Sequence, residues 1–429
     1  MKLFNVIVVG IFIALAFTAV FIFATYRSAT SQAVGTVVIW GTVPEGPVSG
    51  LLSQLAGNTD TYTHVSYKSV PAGEFISDLV EAIAAGNGPD LVIFPADDIV
   101  SQSDKLETIP FSIMSKRDFE NAYLQAGEPF VTANGILGFP FSVDPLVMYW
   151  NRSLFAAAGL ASPPQYWDEL SVDAPKLTRA DQNGTLTQSA VALGSWTNVD
   201  HAKEIYLTLL NQLGNNVVMP DGKGGYQLVY LNDATGGVSS ADSATRFYTD
   251  FADPVKPVYS WNRSEPESQQ AFVSGTLAIY FGTVSELSGI RAANPNLNFD
   301  VAPVPSIRGA GSGVAASVAG FSIPRGSKNP NGALLVAEAL TSKKLEDLMP
   351  AAFSLPSVRR DAAAPAPSDQ YGGMFRQAAL VSFSFLDPDP TSTDSIFSEL
   401  MANVSSGKLQ VSDATRAASA EMETLFKVQ

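Results

Sequence analysis

Short apolar runs alternate with amphipathic segments in the first part of this sequence, and that alternation restricts the fold more than any other feature. The runs Thr36–Trp40, Val65–Val70 and Leu91–Phe94 are predicted as strands. Between them the pattern predicts a helix near Leu51 and a second over Phe75–Ile83, where apolar residues recur at helical spacing. A strand–helix–strand–helix–strand order predicts a doubly wound α/β domain with a parallel sheet.

The same kind of pattern continues less regularly toward the C-terminus. Further strands are predicted at Ile136–Phe141, Leu146–Trp150, Ala190–Leu193, Leu277–Phe281 and Phe299–Val304. Further helices are predicted at Leu154–Ala158, around Trp167, at Ala202–Leu213, Gln269–Ser274 and Asn331–Thr341, and twice near the C-terminus. No repeat of fixed period is present, and 429 residues favour two or three domains. Two α/β lobes are the predicted architecture.

The N-terminus carries a long apolar segment, Leu3–Tyr26, preceded by Lys2. As a helix it would be about 36 Å long, enough to cross a hydrocarbon core of about 30 Å. The alternative is a cleaved signal peptide ending at Ser31-Gln32-Ala33, but its apolar region would be unusually long. We therefore expect residues 1–33 to form one transmembrane anchor and a linker, with the body on the extracytoplasmic side of the cell membrane.

Composition excludes several classes of function. The chain has 26 Lys and Arg against 41 Asp and Glu, a net charge of -15, so we expect no nucleic-acid partner. It has no cysteine, which excludes thiol nucleophiles and Cys-ligated zinc. Its two histidines, His64 and His201, lack metal-ligand spacing. We expect no metal, no cofactor and no catalytic residues.

One long motif suggests a family. Residues Gly138–Phe155, with Gly159-Leu160 and Trp167-Asp168-Glu169-Leu170 after them, resemble the extracellular solute-binding proteins of ABC importers. The resemblance is to family 1, the maltose-binding-protein-like sugar binders. Shorter matches follow in the order typical of that family, at Gly88–Val92, Phe272–Ile279, Ser327–Pro330 and Ser354–Arg359.

The resemblance implies a two-lobed, type II periplasmic-binding-protein-like fold with chain crossings near Phe141, Val301 and Thr341. The first lobe would comprise 34–141 plus 302–341, and the second 142–301 plus 342–429. It also implies a receptor that captures a small solute, a sugar or oligosaccharide, by cleft closure and delivers it to an ABC permease. The implied ligand site lies between the lobes.

Two acidic residues stand where similar proteins contact their ligands. Asp144 follows the first expected crossing, although a turn residue ahead of Pro145 is the alternative. Asp97 follows the strand Leu91–Phe94, and Asp98 beside it is either a helix cap or the contact residue instead.

Thr42 and Glu45 follow the first strand, where a cleft residue should emerge, and a solvated loop is the alternative. Carboxylates and hydroxyls in such places can pair with sugar hydroxyls.

Aromatic rings supply the remaining ligand-site candidates, since flat rings pack on the CH-rich faces of sugars. Trp196 follows the strand Ala190–Leu193, and Trp261 is a weaker candidate. Only one of Tyr280 and Phe281 should face the cleft, because side chains alternate along a strand. Gly282 is followed by Thr283 rather than by the Trp that similar sugar binders often carry shortly after this glycine, which weighs against a long oligosaccharide stack.

Two other functions stay open at this point. A glycan-acting enzyme needs two opposed carboxylates about 5–10 Å apart, and Asp97 and Asp144 could supply them. A sensory or adhesive glycan-binding surface module without transport is the second alternative.

Overall fold

The computed structural model describes residues 34–427 except 58–59, 223–224, 232–237 and 367. The predicted transmembrane anchor over 1–33 lies outside the described residues. Within those that are described, no helix combines the length and the apolar character needed to cross a membrane.

The strands of the described residues are numbered in chain order. They are β1 (Val37–Gly41), β2 (Val65–Ser69), β3 (Leu91–Pro95), β4 (Phe139–Asn151), β5 (Arg179–Ala180), β6 (Leu186–Val191), β7 (Val218–Pro220), β8 (Tyr226–Leu228), β9 (Leu277–Thr283), β10 (Phe299–Ala302), β11 (Val314–Ser322) and β12 (Ser382–Phe383).

The helices are numbered in the same way. They are α1 (Glu45–Ala56), α2 (Phe75–Ala84), α3 (Ile99–Gln102), α4 (Lys116–Ala122), α5 (Arg152–Ala157), α6 (Trp167–Leu177), α7 (Ala202–Gln212), α8 (Ser240–Asp250), α9 (Ser268–Ser274), α10 (Leu287–Ala293), α11 (Pro330–Leu340), α12 (Lys343–Glu346), α13 (Met349–Phe353), α14 (Gly372–Leu380), α15 (Pro390–Ser405) and α16 (Val411–Lys427).

The N-terminal strand–helix alternation forms the parallel arrangement that the sequence predicts. Strand β1 pairs in parallel with β2 on one side and with β3 on the other. Helix α2 ends in a Schellman motif, in which Gly86 has φ 70° and donates its N–H to Ile83, while Asn87 donates to Ala82. The prediction for this part of the chain is confirmed.

One mixed sheet runs through the molecule in the order β2-β1-β3-β11-β4-β9-β6-β5, with β10 paired to β4 and β12 to β11. Its two central strands, β4 and β11, are antiparallel to each other. Strands β7 and β8 form a separate two-stranded sheet. The strand predicted at Ala190–Leu193 is β6, which starts and ends earlier in the chain.

Buried apolar residues fall into two cores, and we name the elements around the smaller core the first lobe and those around the larger core the second lobe. Strand β4 belongs to both, since Phe139–Val143 lie in the smaller core and Leu146–Tyr149 in the larger. Strand β11 does the same in the opposite direction, with its start in the larger core and Ala316–Phe321 in the smaller. These two strands therefore join the lobes.

The packing departs from the predicted lobe limits at two places. Val304 and Val314 belong to the larger core, so the return crossing lies inside β11 and not near Val301. Beyond Thr341, Leu345 and Val358 belong to the smaller core, whereas Leu355 between them packs against the larger core and Tyr371 belongs to it. The exact residue limits of the lobes stay a prediction.

The central strand pair corrects two sequence predictions. We expected two strands around Pro145, but β4 is continuous, because Pro145 is the last pair with β11 and precedes the first pair with β9. Proline has no backbone N–H to donate, and Pro145 lies where β4 changes its pairing partner from β11 to β9. We did not predict β11, because Ala, Gly and Ser fill six of its nine positions and weaken the β-branched and aromatic pattern of a strand.

The close approach of β11 to its neighbours predicts a steric test at Gly320. A Cβ there would lie 2.7 Å from the Phe130 ring and 2.9 Å from the Phe139 carbonyl oxygen, both of which are in the packed core. We expect Gly320→Ala to lower the free energy of unfolding by about 1–3 kcal/mol, as overpacking does. Gly373→Ala in α14 is the control, because its Cβ would meet nothing within 4 Å. Equal urea midpoints for the two variants would contradict this view of β11.

Candidate functional site

Charged side chains of both lobes meet around Asp97. Asp97 lies in the turn Ala96–Asp98 that follows β3 in the first lobe. Lys203, in the first turn of α7, and Asp387, ahead of α15, belong to the second lobe and are close enough to act on the Asp97 carboxylate. Carboxyl ends of parallel strands and helix N-termini are where ligands bind in such α/β folds.

Burial and like charge change the protonation of Asp97. Burial raises its pKa to about 7, the carboxylates of Asp387, Glu204 and Asp98 act in the same direction, and Lys203 opposes them. Asp97 is therefore close to half-ionised at neutral pH.

The Lys203 ammonium is held by the second lobe. It forms an ion pair with Asp387, whose side chain is fully buried, and also reaches the Pro390 carbonyl oxygen at 3.5 Å. Asp387 accepts further hydrogen bonds from the Thr393 hydroxyl at 2.7 Å and the Asp389 N–H at 3.1 Å. These hydrogen bonds hold the Asp387 side chain in place, and its ion pair in turn fixes the position of Lys203.

A second hydrogen-bonded group adjoins the first. His201 Nε2 lies 2.8 Å from Glu286 Oε1, and the Tyr280 hydroxyl donates to Glu286 Oε2 at 2.9 Å. Burial would lower the pKa of His201, but the hydrogen bond and charge of Glu286, with the charge of Glu204, raise it to about 9. His201 is consequently an imidazolium at neutral pH.

Asp144 lies in the middle of β4, where that strand passes from one core to the other. Its Oδ1 accepts the Ser285 N–H at 3.0 Å, which ties the crossing strand to the loop that follows β9. Burial raises its pKa, the hydrogen bonds from Ser285 and Thr283 oppose that rise, and the Glu286 carboxylate adds to it. Asp144 is thus linked to the His201–Glu286 pair.

Together these residues form one polar group between the lobes, which we call the cleft cluster. It consists of Asp97, Asp98, Asp144, His201, Lys203, Glu204, Glu286 and Asp387.

The aromatic candidates are buried rather than exposed. Trp196 is 8% exposed, donates Nε1–H to Asp394 at 3.0 Å and packs against the Phe397 ring. It also lines a second-lobe pocket of about 520 Å³, together with Ser195 and Arg263. Helix α15 covers the ring through Asp394 and Phe397. A role in ligand binding stays a prediction.

The strand alternation separates Tyr280 from Phe281 as expected. The Tyr280 hydroxyl points to Glu286 of the cleft cluster, whereas the Phe281 ring packs on Trp167 at 5.4 Å. Trp261 is 1% exposed and lies inside the larger core. Burial in the core gives Phe281 and Trp261 a packing role, and contact with a solute stays a prediction for all three.

Thr42 and Glu45 lie where the sequence predicts them, after β1, and both are exposed. Glu45 opens α1, and its charge acts on the nearby Tyr67 hydroxyl. Their role at the ligand site stays a prediction.

Sequence reasoning missed the residues that the second lobe adds to the cleft cluster. His201, Lys203 and Glu204 stand at the start of α7. Charged residues in the first turn of a helix that follows a strand could have indicated these positions from the sequence. Asp387 lies in an Asp-Pro-Asp-Pro stretch, whose composition is typical of a turn. Among the described residues, no group of His, Cys, Asp and Glu could hold a metal ion.

Comparison with known proteins gives one family match. The family model described as bacterial extracellular solute-binding protein matches residues 52–346. A putative binding protein of Brucella abortus (strain 2308) is 24% identical over 284 residues, which cover 65% of this chain and 64% of that protein. The chain thus spans less than two thirds of that relative's length.

Solved structures share the fold. The cyclic α-maltosyl-1,6-maltose binding protein of Arthrobacter globiformis matches with a TM-score of 0.74 and 18% identity over 92% of this chain and 99% of that one. The GacH receptor of Streptomyces glaucescens, solved unliganded and with acarbose, matches with a TM-score of 0.69 and 20% identity over 91% and 98%. At sequence identities this low, the structural similarity shows only that the two-lobed α/β fold is shared.

The His201–Glu286 pair predicts a pH dependence of stability. The pKa of His201 in the folded state, about 9, lies above its ordinary value of 6.5. The pair's contribution to the free energy of unfolding is therefore complete below pH 6.5 and is lost as the pH rises through 9. We expect wild type to exceed His201→Gln in free energy of unfolding at pH 6, by on the order of 2–3 kcal/mol, and the gap to close near pH 10. Proton NMR should place the His201 midpoint near 9, assigned with His64→Gln. A midpoint near 6.5 would contradict the geometry.

Proposed function

The chain belongs to the bacterial extracellular solute-binding protein family, and we propose that it captures a sugar or an oligosaccharide between its lobes and delivers it to an ABC permease. The observation that carries the proposal is the convergence of polar side chains from both lobes on Asp97. A site built from two lobes is complete only when the lobes come together, as solute capture by closure requires.

The chemistry of the cleft cluster supports a polyhydroxylated ligand. Asp97 and Asp144 offer carboxyl groups on the first lobe and on the crossing strand, and carboxyl oxygens take paired hydroxyls. The only lysine of the cluster, Lys203, is already paired with Asp387. Of the structurally similar proteins, one is named for a cyclic maltosyl-maltose and another was solved with acarbose, which agrees with a carbohydrate.

The proposed mechanism is capture, closure and presentation. A sugar enters between the lobes, and bending of β4 and β11 brings Lys203 and Asp387 toward Asp97. The closed form is then presented to the permease, whose ATPase supplies the energy. The protein itself catalyses no reaction and needs no cofactor.

We further propose that residues 1–33 anchor the body to the extracytoplasmic face of the cell membrane. The apolar run Leu3–Tyr26 is long enough to span the bilayer. A tether of this kind holds the receptor near its permease at a high effective concentration.

The proposal predicts a ligand-dependent rise in melting temperature. The full-length protein, in a detergent without a sugar headgroup, is screened against mono- and oligosaccharides, sugar phosphates, amino acids, peptides and polyamines. A ligand that binds only the native state raises the melting temperature, and the rise increases with the ratio of ligand concentration to Kd. We expect a shift with one class of uncharged sugar, and Asp97→Asn and Asp144→Asn to weaken its affinity about 10- to 100-fold.

The exposed Glu81→Gln on α2 is the matched control and should bind like wild type. A shift with another class of solute only would discard the sugar and keep the receptor. A flat screen would discard capture of a small solute. Release of new sugar products during incubation would contradict the absence of catalysis.

A further inference from the structure

A cavity of about 420 Å³ lies where the two lobes meet, and no member of the cleft cluster lines it. Helices α12 and α13 form one part of its wall, and they pack on the smaller core through Leu345 and Met349. Tyr371 and Phe375, which belong to the larger core, form another part. We call this space the junction cavity, because both lobes contribute to it.

Two arginines of this wall have no counter-ion. Arg291, in the last turn of α10, and Arg376, on α14, both line the junction cavity. Among the residues that the structure describes, the arginines that form ion pairs are Arg308, Arg359 and Arg416. The chain has 41 acidic residues against 26 basic ones, so a lack of carboxylates does not explain why two arginines at one cavity are left unpaired.

The guanidinium of Arg376 is half-buried and only partly used. It donates to the Ser357 and Arg360 carbonyl oxygens, both at 2.9 Å, and these two bonds leave further N–H groups available. Burial lowers the pKa of Arg376, and the Arg360 guanidinium acts in the same direction. The Asp361 and Asp347 carboxylates oppose that shift without pairing with Arg376. An anion in the cavity would offset the cost of desolvating this cation.

Arg291 is exposed and stands beside the Tyr371 ring. Its guanidinium carbon lies 5.5 Å from the ring centroid, and its charge acts on the Tyr371 hydroxyl. That hydroxyl donates to Asp300, which does not line the cavity, at 2.7 Å. A guanidinium over an aromatic ring still presents the N–H groups at its edge to an oxyanion.

The acidic groups of the wall are compensated or uncharged. Asp347 pairs with Lys343 at 2.7 Å. Asp369 accepts two backbone N–H groups at the start of α14, where the helix dipole favours a negative charge. Burial raises the pKa of Glu346 to about 8, so this enclosed carboxyl group is mainly uncharged at neutral pH. The charge of the wall that lacks a partner is therefore positive.

The remaining wall indicates an organic ligand. The rings of Tyr371 and Phe375 lie 5.8 Å apart, and Leu287 and Leu355 add aliphatic surface. Aromatic side chains pack on flat or CH-rich rings, and arginine forks pair with carboxylate and phosphate oxygens. The volume lies in the range of small-molecule sites, about 300–1,000 Å³, and exceeds what an inorganic ion alone would fill.

We propose that the junction cavity is a second binding site, separate from the cleft, for a small organic anion whose carboxylate or phosphate group pairs with Arg291 and Arg376. The ring of the anion faces Tyr371 and Phe375. Because residues of both lobes form the wall, an occupant favours the lobe arrangement described here over arrangements that pull the walls apart. The proposal does not depend on which solute enters the cleft.

Calorimetric titration of the full-length protein tests the proposal, in an uncharged detergent without a sugar headgroup. Glucose 6-phosphate and glucuronate are the anionic probes, and glucose is the neutral one. Ala363 is exposed and lines the cavity, whereas Ala364 is exposed and does not line it. We expect a binding event with at least one anion. Ala363→Trp should fill the cavity and remove that event, and the matched control Ala364→Trp should keep it.

Arginine variants test the charge at the same event. Arg291→Gln should weaken it about 10- to 100-fold, as the loss of a charge-assisted pair does. The control Arg117→Gln removes another exposed arginine, on α4, which does not line the cavity, and should bind like wild type. Asp97→Asn should also keep the event, so that failure of this proposal is distinguishable from failure of the cleft proposal.

The absence of any event with both anions would overturn the proposal. So would events that all persist in Ala363→Trp, or equal affinities of Arg291→Gln and Arg117→Gln at the event that Ala363→Trp removes. Binding of glucose at that event as tight as binding of the anions would overturn the assignment of an anionic ligand.

Discussion

The antiparallel pairing of β4 with β11 is the constraint on which the rest of the structure depends. At the point where both strands pass from one core to the other, Val143 pairs with Val318 and Asp144 with Ser317. The same ladder holds the lobes in one sheet and leaves the backbone at the crossing as the place where they can bend. It also carries Asp144, so the joint between the lobes is part of the polar group that they enclose.

The cleft cluster shows how the fold pairs the charges of its cations. Lys203 is fixed by the buried Asp387, and His201 by Glu286, so both cations of the cluster have partners within the second lobe. Asp97 comes from the other lobe and has a raised pKa, because in this arrangement it is buried among carboxylates. A solute hydroxyl that donates to Asp97 would favour the ionised carboxylate and so offset part of that cost.

The sequence predicted those parts of the fold that depend on patterns among neighbouring residues. Strands β1 to β3 and the ends of α2 follow from apolar periodicity and from glycine, and the placement of Asp97 after β3 follows from them. Strand β11 could not be predicted in this way, because the contacts that leave no room for a side chain at Gly320 come from Phe130 and Phe139, which are distant in the sequence. Likewise Trp196 follows a strand, but only its contact with Asp394 of α15, almost two hundred residues later, shows that its ring is covered.

The most direct test of the account is the distance between the lobes with and without solute. The chain has no cysteine, so Glu81→Cys on α2 and Arg246→Cys on α8, both at exposed positions of different lobes, can be spin-labelled selectively. If solute binding closes the lobes, a saturating concentration of the bound sugar shifts and narrows the distribution of distances between the labels. An unchanged distribution, with binding of the sugar confirmed on the same labelled sample, would contradict capture by closure of the two lobes.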